Sequence, residues 1–194
     1  EFKELSVWRD GLAEPAKRQM TVRDLMRHTS GLSYGFVGNS AVEKRYKKDK
    51  PIDRAGSLPV MIKKLSDIPL AFEPGSKWQY SVSIDVLGRL VEIWSGQSFE
   101  GFLATRICKP LDMKDTAFYV PKEKIHRFAA NYAPNGPGKL RLIDDPHKSR
   151  YLSNAGLASG GGGLVSTTRD YLRFLQMILN GGELYGKRIL KKQT

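Results

Sequence analysis

The sequence predicts a mainly α-helical chain with short strands. Three observations predict it. Apolar residues recur at helical spacing in two neighbouring stretches, 83–94 and 98–107. Capping and breaking residues bracket these stretches and others like them. Beyond Thr116 the periodicity loosens into short extended pieces separated by glycine and proline. With 194 residues, 40% of them hydrophobic, the chain is long enough for one domain with a core of its own.

Taken in order, the chain opens with a short polar segment. Thr21 then stands as an N-cap, with Asp24 three residues on in a capping-box position. A helix is expected from Val22 to about His28, with Gly31 at its exit. Residues 41–50 are charged and read as a solvated helix or loop. Ser57 is placed to cap a helix carrying Val60, Met61, Ile62 and Leu65. Pro74-Gly75 marks a turn, and an extended piece from Lys77 to Tyr80 leads into the next helix. There Ile84, Leu87, Leu90, Val91 and Trp94 form the expected buried face. Ser95-Gly96 ends it. A second helix begins at Ser98 with Phe99, Phe102, Leu103 and Ile107 on one side, and Pro110 stops it. Two such helices joined by a short connection are expected to pack as a pair. Phe118, Val120, Tyr132, Leu140 and Leu142 fit short strands. Leu164-Val165 follows a four-glycine run as another extended piece. Ser166 or Thr167 should cap a last helix with Leu172, Leu175, Ile178 and Leu179 inward, closed by Asn180-Gly181-Gly182.

The net charge of +12 is spread over separate clusters, with no aromatic-interleaved basic stripe. It reads as lysine-rich solvated faces, so no nucleic-acid partner is expected. No stretch has the length of apolar residues that a transmembrane helix needs. Cys108 is alone, so the chain can form no internal disulfide and the redox compartment stays open. His28, His126 and His147 are far apart in sequence, and neither a metal nor a cofactor is expected.

Two motifs invite stronger readings. Gly31-Leu32-Ser33-Tyr34-Gly35 fits the nucleophile elbow of α/β-hydrolases, but that elbow needs a strand before it. A helix precedes it here, so Ser33 reads as a loop serine. The run Gly160–Gly163 lacks the following Lys-Ser or Lys-Thr of a phosphate-binding loop and reads as a close backbone approach. Tyr80 stands just before an amphipathic helix, where a side chain can face a cleft. Its spacing alone favours a core tyrosine whose hydroxyl finds a local partner.

Several segments together resemble the superfamily of serine β-lactamases, penicillin-binding proteins and class C β-lactamase-related esterases. TVRDLMRHTSGL, Thr21–Leu32, is similar to the helix that ends in a His-Thr-Ser-Gly-Leu loop. Residues 73–116 resemble the Pro-Gly turn, tyrosine motif, paired helices and PLGM-x-x-T element, with Asp112 in place of that element's glycine. GGGGLVSTTRD, Gly160–Asp170, is similar to a third segment, in the same order along the chain. The resemblance implies a parent fold of the α+β, β-lactamase/transpeptidase-like kind. Residues 1–194 would be a partial domain, its helical middle, without the N-terminal S-x-x-K part and the C-terminal sheet strands. No serine here has lysine three residues on; Ser6, followed by Arg9, is a near miss.

The family's Y-x-N motif falls on Tyr80-Ser81-Val82. By resemblance Tyr80 acts as, or assists, the general base for a serine nucleophile. Val82 cannot supply the amide of the usual asparagine, which leans toward esterases. Tyr34, Trp78, Val82, Gly161 and Gly162 are the expected substrate-facing positions. The implied activity is ester hydrolysis through an acyl-enzyme on a small-molecule ester or β-lactam-like substrate, with this fragment itself inactive. The alternatives are a β-lactamase, a D-alanyl-D-alanine carboxypeptidase or a non-catalytic ligand-binding homologue. Oligomeric state stays open, as does compartment, bacterial cytoplasm or periplasm.

Overall fold

The computed structural model describes residues 4–154 and 156–194. The first three residues of the opening polar segment lie outside them. The chain divides into two compact units, Glu1–Phe99 with Gly156–Gly163, and Glu100–Ala155 with Leu164–Thr194.

The first unit opens with a hairpin that the polar reading misses. Strands β1 (Ser6–Arg9) and β2 (Leu12–Pro15) pair antiparallel, Arg9 opposite Leu12. Asp10 and Gly11 both take positive φ, as a two-residue turn of right-handed twist requires. The hairpin is held to the unit through Leu70: Trp8 N–H donates to its carbonyl (2.9 Å) and its own N–H donates to Ser6 (2.8 Å).

Helix α1 (Val22–Met26) is capped as expected, with Thr21 and Asp24 bonding each other's backbone. It ends sooner than the sequence suggests. Arg27 is its C-cap, and His28 takes a positive φ directly after it, three residues before Gly31 does. Asp24 is buried and bonded by both terminal nitrogens of Arg18, at 2.8 and 2.9 Å. That guanidinium, with Thr21 beside it, holds the carboxyl well below the usual carboxylate range.

Residues 41–49 form helix α2 (Ala41–Asp49), which buries Val42, Glu43 and Tyr46 and leaves its lysines outward. Helix α3 (Leu58–Ser66) turns Leu58, Met61, Ile62 and Leu65 inward, while Val60 stays exposed. Each of these four side chains contributes roughly 1.5–3 kcal/mol of burial. Helix α4 (Ser83–Ser95) packs on α1 and α3 and ends at Gly96, with positive φ. Its buried side is rotated from the expected one. Ser83, Asp85, Val86 and Gly88 are interior, Leu87 and Leu90 are partly buried, and Trp94 is exposed. Close packing explains the shift: a methyl at Gly88 would sit 3.2 Å from Phe99 and 3.5 Å from Leu58.

The second unit begins in helix α5 (Phe99–Leu103), which widens into a π-turn over Ala104–Cys108. Lys109 N–H closes that turn on Ala104 (2.9 Å). Phe99 of this stretch belongs to the first unit, where it packs against the core cluster, and the rest belongs to the second. Cys108, Leu111, Met113, Met177 and Leu184 form a small apolar cluster of their own. A 3-10 turn, Lys122–Arg127, precedes the hairpin of β3 (Asn131–Pro134) and β4 (Leu140–Asp144), where Tyr132, Leu140 and Leu142 were expected in strands. Phe118 and Val120 are buried in irregular chain, beside a single bridge between Ala117 and Val165.

Helix α6 (Thr168–Leu179) is capped by Thr167 and leaves through Asn180. It is turned against expectation: Leu172, Leu175, Ile178 and Leu179 are exposed, and Asp170 and Met177 are buried. Polar partners fix this face. Asp170 accepts from Asp115 N–H (2.7 Å) and Thr116 Oγ1 (3.0 Å), and Arg173 pairs with Asp112 (3.0 Å). The last pair of strands, β5 (Glu183–Leu184) and β6 (Lys187–Arg188), forms a short hairpin. Among the described residues, no helix is long and apolar enough to cross a membrane.

Candidate active site

The candidate site lies within the first unit, where the loop after α1 and the chain leading into α4 run side by side. Gly75 N–H donates to Thr29 (2.6 Å), Gln79 N–H to His28 (2.9 Å) and Val82 N–H to Ser33 (3.2 Å). The expected extended piece Lys77–Tyr80 is therefore irregular chain, fixed by the loop rather than by a sheet.

This alignment sets a run of aromatic rings on the surface. Tyr80 is 44% exposed. Its ring lies 5.1 Å from that of His28 and is stacked at 5.1 Å on that of Tyr34. Tyr34 in turn stacks on Phe36, and Trp78 meets the edge of His28 at 6.3 Å. Three of the positions singled out in the sequence, Tyr34, Trp78 and Tyr80, are thus brought together.

Below the rings runs a chain of polar side chains that the sequence does not reveal. Ser81 N–H donates to His28 Nδ1 (3.3 Å). Ser81 Oγ lies 3.2 Å from the same nitrogen and 2.7 Å from Ser83 Oγ, which is 2.8 Å from Ser30 Oγ. The three serines are buried, and each hydroxyl finds a partner, which removes the cost of burying it.

Asp85, in the first turn of α4, is also buried. Its Oδ1 accepts from Ser159 Oγ (2.5 Å) and Gly161 N–H (3.2 Å), and its Oδ2 from the Tyr34 hydroxyl (3.3 Å). Burial, with this carboxylate next in importance, raises the Tyr34 phenol well above its ordinary value. A methyl at Gly161 would overlap the Tyr34 hydroxyl and come within 2.8 Å of Asp85 Oδ2, so only glycine fits. Gly161 thus joins the cluster through Asp85. A side chain at Gly162 would meet open space. Val82 is placed differently: it is fully buried in the core cluster and offers no face to a cleft in this conformation.

Ser33 is fully buried, bonded to Glu43 and receiving a bond from Gln79 Nε2 (2.9 Å). That is the environment of a loop serine tying α2 to the segment before Tyr80, in keeping with the sequence reading. Among the described residues, no group of three acidic, histidine or cysteine side chains is placed to hold a metal.

The arrangement offers a half-exposed phenol held between rings. A phenol of ordinary pKa near 10 relays a proton only when neighbouring groups favour its ionised form. Residues 6–194 match the family model described as Beta-lactamase. Protein Rv1367c of Mycobacterium tuberculosis is 34% identical over 93% of this chain and 44% of its own length. Esterase EstB of Burkholderia gladioli is 33% identical over 90% of this chain and 48% of its own. The solved structure of EstCE1, described as a hydrolase with promiscuous acyltransferase activity, is 25% identical. It superposes with a TM-score of 0.77, over 97% of this chain and 51% of that one. The chain spans about half the length of the proteins it matches.

Proposed function

The chain belongs to the Beta-lactamase family, and on that premise we propose that the complete protein hydrolyses small acyl esters through a serine acyl-enzyme. Named esterases and acyltransferases among its relatives support serine ester chemistry at the level of the family. In this reading residues 1–194 are the helical middle of one β-lactamase-like domain. The serine and lysine of S-x-x-K, and the later strands of the sheet, are supplied by the rest of the protein.

The observation that carries the proposal is the placement of Tyr80. It enters α4 half-exposed, stacked on Tyr34 and backed by His28. A serine hydroxyl becomes a nucleophile when a neighbouring base takes its proton, and Tyr80 is the side chain assigned to that relay. Tyr34, Trp78 and the glycine turn at Gly161 and Gly162 would form the adjoining wall. Val82, buried and without a donor, supplies no amide to a β-lactam or peptide substrate, which supports esters over cephalosporins.

The test is hydrolysis of short-chain p-nitrophenyl esters and of a chromogenic cephalosporin by the complete protein and by the 194-residue chain. The complete protein should turn over the esters in preference, and the chain alone neither. Preference for the cephalosporin would replace esterase by β-lactamase. Ester turnover by the chain alone, with a fluorophosphonate label on Ser33, would overturn the assignment of the nucleophile.

A further inference from the structure

Asp85 carries a burial that its helix does not require. An acidic residue in a first turn offsets the positive end of the helix by about 0.3–1 kcal/mol, and does so while exposed. Here the carboxylate is 1% exposed. Withdrawing such a charge from water costs several kcal/mol before its bonds are counted. Its hydrogen bonds go to two segments far along the chain: Tyr34 on the loop after α1, and Ser159 and Gly161 on the glycine turn. All three donors are neutral. The carboxylate therefore joins the aromatic run to the glycine turn, and the fit of Gly161 against both partners leaves little room for another arrangement.

The two stacked tyrosines differ because of it. Tyr34 gives its hydroxyl proton to Asp85, whereas Tyr80 does not share that partner. We infer that Asp85 is a positioning residue of the active site. Its buried carboxylate locks the Tyr34 hydroxyl as a donor and pins the glycine turn, leaving Tyr80 as the phenol of the pair that exchanges its proton. This inference rests on the proposed role of Tyr80.

Asp85→Asn isolates the chemistry from the packing. The amide oxygen can still accept from Ser159 and Gly161, while the NH2 group facing Tyr34 turns that hydroxyl from donor into acceptor. In the complete protein, kcat on a p-nitrophenyl ester should fall between about ten- and about a hundredfold, the scale of one hydrogen bond to a charged group, with KM little changed. In a Tyr34→Phe background the same substitution should cost almost nothing further, because the contact is already gone. Phenolate absorbance should show the high titration of Tyr34, set chiefly by burial, move partway down in Asp85→Asn and drop out when Tyr34→Phe is added, against the unmoved titration of Tyr46, which burial also raises.

Identical titrations in parent and Asp85→Asn would overturn the inference, and so would an unchanged kcat or an equal loss in the Tyr34→Phe background. If Asp85→Asn does not fold, Tyr34→Phe reads the contact from the other side: it keeps the ring, removes the donor, and should lower kcat by the same factor, with a lower thermal midpoint because the buried carboxylate loses one of its bonds. An unchanged kcat there would equally contradict the positioning role. The two claims separate cleanly, because activity retained in Tyr80→Phe would sink the proposed function while the titration of Tyr34 would stand.

Discussion

In the first unit, α3 turns Leu58, Met61, Ile62 and Leu65 into the core. In the second, α6 leaves Leu172, Leu175, Ile178 and Leu179 exposed and buries Met177 and Asp170 instead. Both helices carry apolar residues at helical spacing. The difference lies in what their neighbours offer. Helix α3 meets a broad apolar cluster that extends from β1 to α4. Helix α6 adds its Met177 to four other buried residues, and polar contacts at Asp170 and Arg173 tie the same side to neighbouring segments. Periodicity says which residues share a face. Polar contacts with distant segments decide which face is inside.

The contrast also bears on function. The aromatic run and the hydroxyl chain are built over the larger core, on loops clamped to one another by backbone hydrogen bonds. A site held within a fraction of an ångström needs such support. The second unit joins its elements through short hairpins and a small cluster, and none of the proposed site residues except the flanks of the glycine turn adjoins it in sequence.

Paired truncations would break or sharpen this comparison. Leu65→Ala, in the core of the first unit, should lower the stability of this chain to urea by about 2–5 kcal/mol, and Met177→Ala on α6 by a similar amount. Leu179→Ala, on the same helix but 79% exposed, should change it by no more than about half a kcal/mol. A large loss at Leu179 would show that the apolar line of α6 is buried after all, and that the two helices are alike.

A smaller effect is expected from acid. Asp24 is held below the usual carboxylate range by Arg18, so it favours the folded state while it is ionised. That contribution is complete above the unfolded value of about 4 and is lost as pH falls toward the depressed folded value. Asp24→Asn should therefore flatten the decline of the thermal midpoint below about pH 4. An unchanged acid profile would mean that the Arg18 pair does not persist in solution.

Much of the architecture is legible in the residues. Thr21 with Asp24, Thr167 at the start of α6, and Gly96 at the end of α4 mark helix ends by local chemistry alone. The Asp10-Gly11 hairpin carries an equally local signal, which the polar surroundings obscure. Tyr80 stands just before an amphipathic helix, half-exposed, with its ring stacked on Tyr34 and next to His28, which in turn meets Trp78. Asp85 and the His28–Ser81–Ser83–Ser30 chain are not legible. Apart from the Ser81–Ser83 link, their partners lie 51 to 76 residues away, and nothing in a single sequence marks a hydroxyl or a carboxylate as buried. Val82 is likewise buried in the core cluster, which its place in a motif does not indicate.

The central claim is that Tyr80 relays the proton of the nucleophilic serine. Tyr80→Phe in the complete protein keeps the stacked ring and removes only the hydroxyl, so kcat for a short-chain ester and the thermal midpoint are measured together. The account predicts that kcat falls on the order of 10² to 10⁴-fold, with folding stability reduced by no more than about 1 kcal/mol. A variant that keeps most of its esterase activity would contradict it, and would make Tyr80 one more ring in the stack.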